Sequence, residues 1–182
     1  MKIGISQRIL ECNNNFYDAL DQSWYRFLKD HEIYPIPNRI DQNFKDLALT
    51  IDRLIISGGD DSLLRNKVEV ELIKEMIRNC KPILGICHGA FLLTDLLSGK
   101  TSPHEDHHNV FHNVKINDNE YIINSFHKLK IDKAPLYSSI LAIDLDGYCE
   151  SWIYKNICAI VWHPERMDNP VVPKEILDTF FK

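Results

Sequence analysis

The chain has 182 residues, of which 45% are hydrophobic, enough for one domain with a sizeable core and too apolar for a disordered chain. A net charge of −5 argues against a nucleic-acid partner, which calls for a basic face, but leaves room for a small anionic substrate held by a few local cations. No apolar run reaches the length of a membrane span, the opening MKIGISQRIL lacks the apolar core of a secretory signal, and five scattered cysteines without CxxC spacing argue against a disulfide framework and for a reducing, cytoplasmic setting.

KIGIS (2–6) opens as a short strand. Residues 17–30 carry Ala19, Leu20, Trp24, Phe27 and Leu28 at helical spacing and predict a helix. IYPIP (33–37) reads as an extended piece. RLIIS (53–57) has the pattern of a buried strand and stops at Gly58-Gly59-Asp60-Asp61, a turn signal. Residues 65–79 predict a helix with Val68, Leu72, Ile73 and Met76 on one face. PILGI (82–86) is another apolar strand, followed by a helix over 89–97 with Gly99 as its stop. In the second half, HNVKI, YIINSF, SILAIDL and ESWIYKNICAIVW are extended stretches split by polar turns, Lys155-Asn156 among them, and VPKEILDTFF closes as a helix. Strands alternating with helices predict an α/β open sheet, mostly parallel, with antiparallel strands in the C-terminal half, all in one domain over 1–182.

Within ILGICHGAF (83–91), Cys87 stands between Gly85 and Gly89, with a strand before it and a helix after it. That is the pattern of a nucleophile elbow, where the chain doubles back too tightly for side chains on either flank. A helix N-terminus beneath the sulfur favours its thiolate, and the His88 N–H points at any oxyanion formed there. In ICAIVWHPER (157–166), an apolar run delivers His163 to a loop, Pro164 ends the strand, and Glu165 is close enough to orient the imidazole. Ligand sites in open α/β sheets gather at the carboxyl ends of strands, which brings Cys87 and His163 together. The Ser57-Gly58-Gly59-Asp60 turn ends a third strand, and its Gly59 N–H is a second candidate oxyanion donor.

SGGDD, GICHG and WHPE, in this order, resemble the class I glutamine amidotransferase fold, and within it the γ-glutamyl hydrolase branch. The resemblance covers nearly the whole chain and implies a flavodoxin-like sheet. RNKVEVELIKE resembles the helix before the elbow, including Arg65 and Glu69; INSFH resembles an Asn-Ser-x-His segment that sets Ser125, Phe126 and His127 at the pocket edge. The implied chemistry is a Cys87-His163-Glu165 triad that cleaves a γ-glutamyl amide through a thioester. Gly59 and His88 hold the oxyanion, and Gly58, Asp60 and Phe91 line the substrate site. No cofactor and no metal is expected. Two departures stand out: Phe91 occupies the place of the family's usual glutamine, and the branch's Asn-Ser-x-His-His-Gln becomes NSFHKL, with Lys128 after His127. A further resemblance, to hydrolases of γ-glutamyl-CDP-amidate in capsule synthesis, makes Arg8, Arg65, Lys128 and Arg166 candidates for meeting a diphosphate.

Other readings stay open. A glutaminase subunit that feeds ammonia to a separate synthase shares the chemistry, although no synthase domain is fused here; a second copy of the chain is also an open partner. CHG resembles the PfpI/DJ-1 group as well, in which the histidine after the cysteine serves as base, but Ser6-Gln7-Arg8 stands where that group carries a glutamate. A non-catalytic binding protein on the same fold is another option. SPHEDHHNVFH concentrates His104, Glu105, Asp106, His107, His108 and His112, all metal-ligand types, but at no standard zinc spacing. It reads as a loop at the pocket mouth, with a metal-binding module as the alternative.

Overall fold

The computed structural model describes residues 1–104 and 107–182. In chain order the strands and helices are β1 (Lys2–Ser6), β2 (Arg8–Cys12), β3 (Asn15–Ala19), α1 (Ser23–Phe27), β4 (Glu32–Ile36), α2 (Phe44–Thr50), β5 (Arg53–Ile56), α3 (Leu63–Arg78), β6 (Ile83–Ile86) and α4 (His88–Leu96). There follow β7 (Lys100–Pro103), β8 (His108–Ile116), β9 (Asn119–Phe126), β10 (Leu129–Lys133), β11 (Ser139–Asp144), β12 (Cys149–Tyr154), β13 (Ile157–Ile160) and α5 (Lys174–Phe180).

The large sheet runs β4-β1-β5-β6-β13-β12-β11-β8-β9, with β10 joined to β12 and β7. Strands β4, β1, β5, β6 and β13 are mutually parallel, and every strand from β7 to β12 pairs antiparallel. The parallel character therefore belongs to the core. It ends at β13, which pairs parallel with β6 on one side and antiparallel with β12 on the other. Alternation along β5 sends Leu54 and Ile56 into one core with Leu72, Ile73 and Met76 of α3, and Ile55 into the opposite core with Trp24 of α1 and Ile176 and Phe180 of α5. A strand buried on both faces reads as an unbroken apolar run, which is why 53–57 and 82–86 are plain in the sequence.

The helix expected over 17–30 is shortened at its start. Residues 15–19 instead form β3, which pairs with β2 as a separate two-stranded ribbon. Asn13 and Asn14 connect them, both at positive φ (52° and 59°), the two-residue hairpin turn that asparagine tolerates. Helix α1 keeps Trp24 buried, and Leu28 lies just past its end, also buried. The chain leaves α4 with Ser98 in the left-handed conformation (φ 63°), not Gly99; the Gly99 N–H then donates to Thr94 O at 2.8 Å. The Lys155-Asn156 turn joins β12 to β13, with Lys155 at φ 54°. Helix α2 and strands β7 and β10 are additions to what the sequence pattern predicts. No helix among the described residues is long and apolar enough to cross a membrane.

Candidate active site

Three neighbouring parallel strands, β5, β6 and β13, release their chains at the same edge of the sheet. Gly58-Gly59 leaves β5, Cys87 leaves β6, and His163 lies three residues beyond β13. The Cys87 N–H donates to Ile160 O at 2.9 Å, which ties the elbow to the strand that delivers His163. Cys87 sits at φ 50°, ψ −106°, a strained conformation for a non-glycine residue. A Cβ on Gly85 would overlap the Gly89 carbonyl, and one on Gly89 would overlap the Ile56 carbonyl. Both flanking glycines are thus required by close backbone approach.

The His163 ring is buried between two partners. Its Nδ1–H donates to Glu165 Oε1 at 2.6 Å, and its Cε1–Nε2 edge shares the space beside Gly58 with Cys87 Cβ. Burial opposes a charge on the imidazole, but the Cys87 sulfur and the Glu165 carboxylate outweigh it and push His163 up to about 9. Glu165 lies in a single 3₁₀ turn, Pro164–Arg166, which folds its carboxylate back under the ring. The His163 backbone is clamped from β9: its N–H donates to Asn124 Oδ1 at 2.8 Å, and Asn124 Nδ2 donates to His163 O at 2.9 Å. Sequence reasoning did not single out Asn124; its one signal is that it opens the Asn-Ser-x-His segment.

His88 is fixed by both ring nitrogens: Nε2 lies 2.7 Å from Glu69 Oε2 and Nδ1 2.7 Å from Asp61 Oδ1. Glu69 in turn accepts from Arg65 Nε at 2.8 Å, both side chains fully buried. Burial opposes the charge on Glu69, but His88, Arg65 and Ser6 hold its carboxyl below the ordinary range. Arg65 also donates to the carbonyls of Ser57, Gly58 and Asp60, so this guanidinium shapes the glycine loop from beneath and is withdrawn from any diphosphate.

The cleft beside Cys87 encloses about 380 Å³. Of the expected site residues, Gly59, Asp60, Cys87, His88, Phe91, Phe126, His127 and Lys128 line it, joined by Asp61, Asn66, Leu92, Asp95, His108 and Leu129. Gly58 sits behind the lining, and a Cβ there would overlap the His163 imidazole. Phe126 meets the His163 ring edge-on at 5.6 Å between centroids. Ser125 is placed elsewhere: it is wholly buried, with its hydroxyl donating to His107 O. Strand alternation explains this, because Ser125 and Phe126 point to opposite faces. Arg8 and Arg166 converge on Asp21 (3.9 and 3.4 Å) and do not line the cleft. His107, His112, His127 and Glu150 gather next to the cleft, a donor set suited to a metal ion. Glu105 and Asp106 of the histidine-rich segment lie outside the described residues.

The arrangement is a strand–turn–helix elbow that carries a cysteine, with an imidazole beside it and a carboxylate behind the imidazole, at the carboxyl edge of a parallel sheet. The class-I glutamine amidotransferase family model matches residues 8–182. The chain belongs to this family. Among curated relatives, the γ-glutamyl-CDP-amidate hydrolase of Campylobacter jejuni is 31% identical over 198 aligned positions, covering 100% of this chain and 98% of that one. Among solved structures, a protein of Thermoplasma acidophilum assigned to GMP synthase superposes with a TM-score of 0.75 at 19% identity, covering 99% of this chain and 92% of that one. A glutamine amidotransferase of Thermotoga maritima gives 0.69 at 16% identity, covering 90% and 76%. At such identities the two structures speak for the amidotransferase fold alone.

Proposed function

We propose that this amidotransferase-family chain is a γ-glutamyl hydrolase that opens a C–N amide bond through a thioester on Cys87. The observation that carries the reading is the His163 ring bonded to Glu165 and set beside the Cys87 elbow, with a cleft open at Cys87. In the first step the Cys87 thiolate attacks the γ-carbonyl carbon, a C–S bond forms, and the carbonyl oxygen takes the negative charge. The Gly59 and His88 N–H groups are assigned to that oxygen. Collapse breaks the C–N bond, and the proton on His163 Nε2 goes to the departing nitrogen. A water then gives its proton back to His163 and attacks the thioester, releasing glutamate and the thiolate. Glu165 holds the imidazole tautomer and its charge.

His88 is a poor candidate for the base. Its two nitrogens are engaged by Glu69 and Asp61, whereas His163 gives only Nδ1 to a carboxylate and keeps Nε2 for the reaction. This favours the triad over the PfpI/DJ-1-like reading.

The full-length likeness to the Campylobacter hydrolase makes γ-glutamyl-CDP-amidate the first substrate to test. Asp60, Asp61 and Asp95 on the cleft wall suit the α-amino group of a glutamyl moiety, and Lys128 suits a phosphate. The enzyme is read as one cytoplasmic domain over 1–182 acting on a small molecule. Glutamate release is to be measured with γ-glutamyl-CDP-amidate, γ-glutamyl-GABA and glutamine. The expected result is fast turnover of the CDP compound and slow turnover of glutamine by the chain alone. Glutamine turnover that appears only after a second protein is added would overturn the assignment in favour of a glutaminase subunit.

A further inference from the structure

One group of titratable side chains takes no part in the chemistry above. His107 before β8, His112 on β8, His127 after β9 and Glu150 on β12 bring one ligand atom each to within 4.8 Å of one another. His127 and Glu150 are 3% and 1% exposed, and His107 is 8% exposed. His107 Nδ1, His112 Nε2, His127 Nε2 and Glu150 Oε2 have no hydrogen-bond partner among the described residues. Their separations from the Glu150 carboxylate are 3.5, 3.9 and 3.8 Å, too long for hydrogen bonds. Buried polar atoms are rarely left this way, and four converging on one point call for a common partner.

The outer contacts say what that partner is. His127 Nδ1 lies 2.7 Å from Leu129 O, and His112 Nδ1 3.3 Å from Asn113 O. A carbonyl only accepts, so those nitrogens carry the protons and Nε2 of each neutral ring presents a bare lone pair. His107 stands between two carboxylates, its Nδ1 3.5 Å from Glu150 Oε1 and its Nε2 3.7 Å from Asp144 Oδ2. Lone pairs turned toward a carboxylate repel it unless a cation stands between them. No lysine or arginine among the described residues forms an ion pair with Glu150 or Asp144. Four ligands around a tetrahedral zinc, about 2.0–2.1 Å from the metal, stand about 3.3 Å from one another, so the observed group needs only slight contraction. Backbone carbonyls and a carboxylate behind the imidazoles are the usual outer support of such ligands.

We propose that His107, His112, His127 and Glu150 form a closed, four-ligand structural site for one zinc ion. Three protein nitrogens and one carboxylate fill a tetrahedron and leave no open position for a reactive water, which assigns the ion a structural role. It ties the β8–β9 hairpin to β12 and fixes His127, whose ring packs on Phe91 (5.7 Å between centroids) at the cleft wall.

The test is metal content, which is read without turnover and so stands apart from the γ-glutamyl assignment. Untagged protein prepared without chelator is to be assayed by elemental analysis, then stripped and titrated with Co²⁺ as a spectroscopic probe. The expected results are about one zinc per chain, the intense visible bands of four-coordinate Co²⁺, and loss of both in Glu150→Gln and His127→Ala. His108→Ala, which alters a histidine of the same segment outside the group, should retain the metal. Should the ligand variants fail to fold, the wild-type Co²⁺ spectrum and a rise in Tm when Zn²⁺ is restored to stripped protein decide the matter. Folded wild-type protein that retains no Zn²⁺ or Co²⁺ after gel filtration, a weak six-coordinate spectrum, or undiminished metal in the triple His107/His112/His127→Ala protein would each overturn the site.

Discussion

Two groups set the charge of His163, so removing either should be visible at the ring itself. In Cys87→Ala the imidazole loses one of the partners that raise it, and its midpoint, followed by NMR, should fall from about 9 toward the ordinary histidine value. The linkage to stability has a definite sign. A raised histidine contributes stability that is complete below its unfolded midpoint, near pH 6.5, and is lost as pH climbs through about 9. Turnover should fall over the same upper limb, because the leaving nitrogen needs the His163 proton. Cys87→Ala and His163→Gln should each lower kcat by roughly 10⁴ or more. Gly58→Ala tests position and not chemistry: the added methyl displaces the imidazole. We expect kcat to drop with KM nearly unchanged, as steady-state kinetics would show.

At the scale of elements, α3 reaches the site from behind. Arg65 and Glu69, one turn apart, carry a buried ion pair on to His88, and Arg65 donates to three carbonyls of the glycine loop. Arg65→Met leaves the Glu69 charge buried with one partner fewer, and the cost by urea denaturation should be about 3–5 kcal/mol. Glu69 has a depressed midpoint, so its contribution to stability is present above the ordinary carboxylate range and lost as pH falls below it. In Arg65→Met that loss should begin at higher pH. Elements differed in how well the sequence announced them. Strands β5 and β6 were plain because they are apolar on both faces. The β2–β3 ribbon was hidden because its residues are mostly exposed, and Ala19, with Leu20 just past the ribbon, mimicked the start of a helical stripe. Its real signal was the Asn13-Asn14 pair, a turn specified by backbone conformation and not by hydrophobic period.

For the molecule as a whole, the site and the histidine group differ in how far the chain must travel to build them. The elbow and the His-Pro-Glu turn are short local patterns, each readable by itself, and parallel pairing of β6 with β13 makes their meeting an expectation. The histidine group is not local. Two of its four members, His127 and Glu150, join only through register in the antiparallel half, so counting spacings within 104–112 could not find it. The same separation of environments sorts the five cysteines. Cys12 and Cys80 are exposed, while burial pushes the thiols of Cys149 and Cys158 up to about 12. In a Cys12→Ser/Cys80→Ser background, iodoacetamide near neutral pH should add one label, at Cys87, and His163→Gln should suppress it by mass spectrometry. Labelling that persists without His163 would detach the sulfur's reactivity from the imidazole.

The division of labour within the sheet has one more implication. Cys87, His163 and the Gly58-Gly59 turn all hang from the parallel strands, whereas Phe126, His127 and Lys128 come from the end of β9 and its link to β10. Of that stretch only Lys128 is free of both the His163 ring and the histidine group, so it is the position at which the cleft wall can be varied without touching either.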